Sequence, residues 1–159
     1  MSRLTCYICK ELKVIVGKYQ LGKVLRIDCP LVVLLPRKTR EDKKFRLNLN
    51  YTNNAHYLEY NKAKKLFKLI VEQILIDTGQ DKLHFTNPVD VTAKLYKQSR
   101  RRSDKHNFIA ANTKFLYDAL TELGIIVDDN DEYIKVEVLQ ETEVDKHNPR
   151  VSYVFTERD

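Results

Sequence analysis

The sequence is poor in the residues that mark several common classes of protein. It has only four glycines and four prolines in 159 residues, and it has no tryptophan. The glycines are too few for a dinucleotide-binding fingerprint, and Val16-Gly17-Lys18 lacks the upstream glycine and the serine or threonine of a phosphate-binding loop. The HExxH spacing of zinc proteases is also absent. We therefore expect no nucleotide cofactor.

Cysteine is also scarce, with an odd total of three residues, Cys6, Cys9 and Cys29. The N-terminus lacks the apolar run and the small-residue cleavage site of a signal peptide, so we expect an intracellular, reduced protein. Cys6-x-x-Cys9 could ligate zinc, but a structural zinc site needs four ligands, and only Cys29 and a distant histidine remain. Free thiols are the preferred interpretation.

Long hydrophobic runs are missing. The longest apolar run, Cys29 to Leu35, is far shorter than the ~20 residues that a membrane-spanning helix needs. No membrane association is therefore expected. The composition, 43% hydrophobic and 31% charged, is that of a chain that folds as one domain around one core.

Positive charge is abundant and unevenly distributed. The net charge is +6, with lysine and arginine concentrated in residues 37–46, 61–68 and 94–105, while aspartate and glutamate gather in residues 128–145. Basic surfaces bind phosphate backbones whatever the base sequence, because they release condensed counterions. The separation of charge predicts a nucleic-acid-binding face beside an acidic pocket.

The hydrophobic pattern predicts an α+β fold with a small mixed or antiparallel sheet packed against two main helices. Alternating or β-branched apolar residues predict short strands in residues 12–16, 24–35, 45–49, 89–95, 133–139 and 151–155. Apolar steps of three and four predict one helix over residues 59–78, before Gly79, and another from a cap at Ser103 or Asn107 to about Leu123, before Gly124. The turn sequence KHNPR predicts an antiparallel hairpin of the last two strands.

Two groups of charged residues carry the functional prediction. A cationic run suited to holding phosphate consists of Lys97, Arg100, Arg101, Arg102 and Lys105. Carboxylates suited to a hard divalent metal stand within and after this run, at Asp104, Asp128 and Asp129. An Asp-Asp pair alone is most often a solvated turn, and a triple arginine is as often a localisation or solubility feature. Together the two groups predict a nuclease.

Residues 101–107 (RRSDKHN) and 114–129 (KFLYDALTELGIIVDD) resemble the RusA family of phage-encoded Holliday-junction resolvases. The family pattern is a basic run, D-x-D-N, a lysine-bearing helix that ends D-A-L-x-x-x-G, and a terminal D-D. Asp104 and Asn107 match the first aspartate and the asparagine, Lys114 matches the helix lysine, and Asp128 and Asp129 match the final pair. The resemblance covers residues 45–159, and it leaves residues 1–44 as a β-rich extension of unknown role.

The sequence departs from this pattern in two places. His106 stands where the family has its second aspartate, and about four extra residues, close to one helical turn, separate Asn107 from Lys114. Imidazole suits Mn²⁺ or Zn²⁺ better than Mg²⁺. Either His106 is a ligand in a softer site, or Asp118 or Asp131 supplies the missing oxygen, or the protein binds DNA without cutting it.

The resemblance implies a homodimer that cuts a four-way DNA junction symmetrically, in DNA recombination and repair, in the cytoplasm of a bacterial host. It implies Mg²⁺, with Mn²⁺ as a possible substitute, held by Asp104 and Asp129 with Asp128 beside them and His106 as a further candidate. Lys114 would stabilise charge on the phosphoryl oxygens or assist the leaving group. The cationic run would hold the DNA.

Two alternatives remain open. The first is a non-catalytic protein that binds branched DNA on the same fold, with the three aspartates acting only as caps or as repulsive charges. The second is an RNA-binding module, which would need aromatic side chains in a stripe on a sheet face. The tyrosines are scattered along the sequence, so this second alternative ranks last.

Overall fold

The computed structural model describes residues 22–159. In this part of the chain the elements follow one another in the order β1 (Val24–Pro30), β2 (Val32–Leu35), β3 (Lys43–Arg46), α1 (Leu49–Thr52), α2 (Tyr57–Asp77), β4 (Val89–Lys97), α3 (Lys105–Glu122), β5 (Ile134–Leu139), β6 (Glu143–Val144) and β7 (Arg150–Glu157).

Five of these strands form one mixed sheet. The order across it is β1-β7-β4-β5, and β6 also pairs with β4. Strand β7 is antiparallel to both β1 and β4, whereas β5 and β6 are parallel to β4. Strands β2 and β3 form a separate antiparallel pair. The prediction of one α+β domain with a small mixed sheet is confirmed for the described residues.

The predicted hairpin of residues 133–139 and 151–155 is wrong. Strands β5 and β7 do not pair, because β4 lies between them. The chain leaves β4, passes through α3 and returns as β5 in the same direction, which is the crossover that parallel strands require. The KHNPR sequence does reverse the chain, but it carries the chain from β6 on one side of β4 to β7 on the other.

The core lies on one face of the sheet. Buried side chains alternate with half-buried ones along β4, where Val91 and Ala93 are buried, and along most of β7, whereas along β1 they alternate with exposed ones. Helix α2 turns Phe67 and Val71 toward this face, and α3 packs beside it. Burying such side chains contributes roughly 25 cal/mol for each Å² of apolar surface removed from water. The largest completely buried residues include Tyr153, Phe45, Phe67, Phe115 and Phe155.

Helix α2 confirms the strongest periodic signal of the sequence, since it spans Tyr57–Asp77 and is followed by Gly79 with a φ of +69°. Two of its lysines are paired with carboxylates of α3. Lys64 forms a salt bridge of 2.7 Å with Asp118, and Lys68 forms one of 2.9 Å with Glu122. These two lysines therefore join α2 to α3.

The strand predicted over residues 45–49 is shorter than expected. Strand β3 ends at Arg46, and the chain enters the one-turn helix α1. Asn48 caps this helix, and its side chain accepts a hydrogen bond from the backbone N of Asn50 at 3.0 Å. Asparagine side chains compete with sheet hydrogen bonds in this way, which explains why alternation alone gave the wrong end.

The division of the chain at residue 44 and the role of residues 1–44 stay predictions. The described part of this segment is indeed rich in strands, and β1 joins the main sheet. The predicted strand 12–16 and the zinc alternative at Cys6 and Cys9 lie outside the described residues. No helix of residues 22–159 combines the length and the apolar character needed to cross a bilayer.

Candidate functional site

Helix α3 positions most of the candidate site. It begins after Asp104, whose Oδ1 accepts a hydrogen bond from the backbone N of His106 at 3.0 Å. The predicted caps, Ser103 and Asn107, are therefore one and three residues away from the true cap. An aspartate here satisfies a free backbone N–H and places negative charge at the positive end of the helix dipole. The helix ends as predicted, before Gly124 with a φ of +72°.

A cleft of about 600 Å³ lies along α3 and the strands β4 and β5. The side chains that α3 contributes repeat at three- and four-residue steps, so they form one stripe on the helix: His106, Ile109, Ala110, Thr113, Lys114 and Tyr117. The opposite side of the cleft is formed by Val91, Ala93, Asp129, Glu137, Val138, Leu139 and Tyr153. Six of these thirteen residues are aliphatic, and the other seven carry a polar group.

Three of the sequence-predicted residues, His106, Lys114 and Asp129, line this cleft. Asp104 and Asp128 do not line it. Asp104 caps α3, and Asp128 shapes the loop before β5: its Oδ1 accepts from the backbone N of Asp129, and its Oδ2 accepts from Nδ2 of Asn130, both at 2.8 Å. Asp128 therefore holds its neighbour Asp129 in place.

The two other aspartates considered from the sequence also lie away from the cleft. Asp118 faces α2, where it forms a salt bridge of 2.7 Å with Lys64. Burial lowers the pKa of the Lys64 ammonium, but the hydrogen bond to Asp118 outweighs this effect and raises the pKa. Asp131 is exposed in the loop that precedes β5. Neither carboxylate stands where it could replace a ligand inside the cleft.

Sequence reasoning missed Glu137, which brings a second carboxylate into the cleft. The hydroxyl of Tyr117, a side chain only 7% exposed, donates a hydrogen bond to Oε1 of Glu137. Burial raises the pKa of the Tyr117 hydroxyl, and the hydrogen bond to Glu137 and the charges of Glu137 and Asp129 raise it further. Both carboxylates thus act on one buried hydroxyl group.

Glu137 could be recognised only from the correct strand pairing. The sequence pattern predicted that β5 pairs with β7, whereas Glu137 lies opposite Val91 of β4 in the parallel register. A carboxylate between Val136 and Val138 in an alternating strand was the available signal. Such a residue is ordinarily a solvent-facing position of an edge strand.

A buried polar network fixes α3 against the sheet below the cleft. Asn112 is completely buried, and its Nδ2 donates to the backbone O of Pro30 at 2.8 Å. The hydroxyl of Tyr153 donates to Oδ1 of Asn112 at 3.0 Å and lies 3.0 Å from Oγ1 of Thr113. Burial raises the pKa of Tyr153 well above its ordinary value. Because buried polar groups are costly when unpaired, this network favours one position of α3.

The donor set of the cleft suits a hard divalent metal. Mg²⁺ is usually bound by one or two carboxylates together with substrate phosphates and water, and Asp129 and Glu137 supply two carboxylates. The imidazole of His106 adds a donor that Mn²⁺ accepts readily. Within residues 22–159, no three side chains of histidine, cysteine, aspartate or glutamate stand together as a preformed metal cluster.

The cationic run lies between β4 and α3, next to the cleft. Lys97 ends β4, Lys105 begins α3, and the three arginines between them are exposed. The Nζ of Lys97 donates to the backbone O of Arg101 at 2.9 Å, which ties the loop to the strand. Among the described residues, none of the five forms a salt bridge with a carboxylate. Their charge is therefore available to an external anion.

No protein-family model matches this chain, and a comparison with curated proteins gives no match. A functional assignment therefore depends on the motif resemblance and on the geometry of the cleft.

Proposed function

We propose that this protein is a metal-dependent, structure-selective DNA endonuclease of the RusA type that resolves four-way junctions by phosphodiester hydrolysis. The observation that carries the proposal is the cleft that His106, Lys114 and Asp129 all line. These residues are separated by up to 23 positions in the sequence. Lys114 and Asp129 match the family motif, and His106 stands where the family has its second aspartate. Glu137 adds a second carboxylate to the lining of this cleft.

The metal would be held by Asp129 and Glu137, while His106 lines the same cleft from the first turn of α3. A bound Mg²⁺ or Mn²⁺ supplies Lewis acidity toward a phosphoryl oxygen and lowers the pKa of a bound water. Asp104 and Asp128, which the resemblance makes ligands, are engaged in a helix cap and a loop turn. In this proposal they act by positioning α3 and Asp129.

The protein's own side chains account for the remaining functions of the cleft. The Lys114 ammonium lies on the same helix stripe as His106 and would stabilise negative charge that develops on the phosphoryl group. Tyr117 holds the Glu137 carboxylate in one orientation through its hydrogen bond. The apolar side chains of Val91 and Ala93 exclude water from the floor, which strengthens these electrostatic interactions.

The partner would be branched DNA, bound by phosphate contacts from Lys97, Arg100, Arg101, Arg102 and Lys105. Symmetric cutting of paired strands requires two sites, so we also propose a homodimer. In the described part of the chain, β5 is the edge strand beyond β4, and its side chains Val136 and Val138 are 43% and 48% exposed. Exposed apolar residues on an edge strand are suited to pairing with a second copy. A role in recombination and repair of phage DNA in the bacterial cytoplasm would follow.

A second candidate function is binding of branched DNA without cutting. The structural hydrogen bonds of Asp104 and Asp128 favour it, because they give both aspartates a role that needs no metal. Both proposals have branched DNA as the partner, and they differ only in whether the protein hydrolyses its phosphodiester bonds.

The deciding experiment is incubation of the purified protein with a labelled four-way junction or a matched linear duplex, in Mg²⁺, in Mn²⁺ and in EDTA. Asp129→Asn should abolish cutting and leave junction binding intact. Asp131→Asn is the matched control, because it removes an equal charge from the same loop outside the cleft. Paired nicks on the junction alone, lost in EDTA and in Asp129→Asn, would support the endonuclease. Tight junction binding without nicks in either metal would support the binding protein instead.

A further inference from the structure

A second concave surface, of about 390 Å³, lies beside the cationic run. Two of its cations, Lys97 and Arg101, come from this run, but the other two, Lys44 and Arg46, come from β3, about 50 residues earlier in the sequence. We refer to this surface as the basic groove. Chain folding, and not a continuous basic sequence, brings its four cations together.

The cations of the basic groove are not neutralised by the protein. Within residues 22–159, none of the four forms a salt bridge with a carboxylate, and no acidic side chain lines the groove. The neighbouring Lys43, by contrast, is paired with Glu59 at 2.6 Å. Four like charges on one concave surface repel one another and attract an anion of extended shape.

The floor of the groove is apolar. It is formed by Leu31, Val32, Leu95, Phe108 and Pro149, of which Phe108 is half-buried with part of its ring accessible. A duplex keeps its bases stacked inside and presents phosphates to the protein. An unpaired strand presents both phosphates and base faces, and base faces stack on aromatic side chains. The combination of cations and an apolar floor therefore suits an unpaired strand.

The groove and the cleft border the same strand. Val91 and Ala93 of β4 line the cleft, and Leu95 and Lys97 of β4 line the groove. Ala93 and Leu95 are about 7 Å apart along this face of the strand. The proposed DNA contacts of the groove therefore lie beside the proposed site.

We propose that the basic groove binds a single-stranded segment of DNA, with phosphates on Lys44, Arg46, Lys97 and Arg101 and a base against Phe108. This inference extends the proposed function, because the groove would hold the same branched DNA that the cleft acts on, at a point where strands are unpaired. Binding in the groove needs neither metal nor cutting.

The test is fluorescence anisotropy of a labelled oligothymidine and of a matched duplex, titrated with the full chain in EDTA at several salt concentrations. The variant Lys44→Ala/Arg46→Ala should bind oligothymidine about tenfold more weakly at low salt. Its slope of log K against log salt should be smaller in magnitude by about 1.4, the value for two lost phosphate contacts to a single strand. The control Lys65→Ala/Lys82→Ala, with the same change of net charge at exposed positions outside the groove, should change neither quantity.

Phe108→Leu tests the base contact while keeping an apolar side chain in the floor. It should weaken oligothymidine binding at least about fivefold and leave duplex binding unchanged. The groove assignment would be overturned if Lys44→Ala/Arg46→Ala and Lys65→Ala/Lys82→Ala lose equal affinity for oligothymidine. It would also be overturned if Phe108→Leu weakens the binding of oligothymidine and of duplex equally. If the groove variants bind oligothymidine as the wild type does and the wild type cuts junctions, the groove assignment fails and the proposed function stands. If the groove variants lose oligothymidine binding and the wild type cuts no junction, the groove assignment stands and the proposed endonuclease fails.

Discussion

The hydroxyl of Tyr117 on α3 donates a hydrogen bond across the cleft to Oε1 of Glu137 on β5. This bond links the two elements that the parallel crossover brings together, and it limits the rotation of a glutamate side chain that is otherwise exposed. Asp129 contributes to the raised pKa of the same tyrosine, so both carboxylates act on one neutral hydroxyl. Tyr117 is therefore a positioning residue in the proposed site.

We predict that Tyr117→Phe lowers the rate of junction cutting by about 10- to 100-fold, the range expected when the partner that orients a metal ligand is removed. The free energy of unfolding should change by less than about 1 kcal/mol, because Glu137 can bond to water instead. Single-turnover cutting and thermal unfolding measure the two effects. Tyr60→Phe, which removes a hydroxyl outside the cleft, should cut at the wild-type rate, and an equal rate for Tyr117→Phe would exclude the positioning role.

Substitutions of Asp104 separate its role as a helix cap from the role of metal ligand that the family resemblance implies. Asparagine caps helices about as well as aspartate, whereas alanine costs about 1 kcal/mol, so Asp104→Asn should keep the stability that Asp104→Ala loses. Because Asp104 does not line the cleft, we expect Asp104→Asn to keep most of the cutting activity. A stable Asp104→Asn protein that does not cut would instead make Asp104 a ligand, as the family resemblance implies.

The stripe on α3 was accessible from the sequence for a simple physical reason. His106, Ile109, Ala110, Thr113, Lys114 and Tyr117 obey the local geometry of one helix, so their common face follows from spacing alone. The end of the helix at Gly124 is equally local, because a positive φ favours glycine. The helix and its C-terminal end were therefore predicted, whereas the cap at Asp104 and the stripe itself were not.

The position of Glu137 depends on a contact that no local pattern specifies. The packing of α3 on the sheet decides whether β5 pairs with β7 or with β4. A helix that connects two parallel strands must pack on one face of their sheet, and this brings β5 beside β4. The basic groove has the same origin, because Lys44 meets Lys97 only when the β2–β3 pair packs against the main sheet. Both features arise from contacts between distant segments.

Glu157 should make the fold sensitive to acid. Burial alone would raise the pKa of the Glu157 carboxyl, but the backbone N–H groups of Asn87 and Thr86 and the charge of Lys23 outweigh it and lower the pKa below 4.5. A carboxyl with a lowered folded-state pKa contributes stability above its unfolded pKa and loses that contribution as the pH falls through its folded pKa.

Thermal unfolding of wild type and Glu157→Gln between neutral and acidic pH measures this contribution. The wild type should be the more stable protein at neutral pH, and the difference should shrink as the pH falls below about 4.5. Subtracting the stability of Glu157→Gln from that of the wild type at each pH removes the contributions of other carboxyls. These include Glu59 and Glu122, whose pKa values are also lowered by lysine partners. A difference that is constant with pH would contradict the assignment.

His106 should set the metal preference of the proposed nuclease. An imidazole ligand favours Mn²⁺ over Mg²⁺, whereas an all-carboxylate site favours the harder ion, and His106 lines the same cleft as Asp129 and Glu137. We therefore expect faster junction cutting in Mn²⁺ than in Mg²⁺, and His106→Asp should shift the ratio of the two rates toward Mg²⁺. His147→Asp makes the same chemical change in an exposed turn and should leave the ratio unchanged. If His106→Asp alters the overall rate but not the ratio, the imidazole does not contact the metal, and Asp129 and Glu137 must hold it without His106.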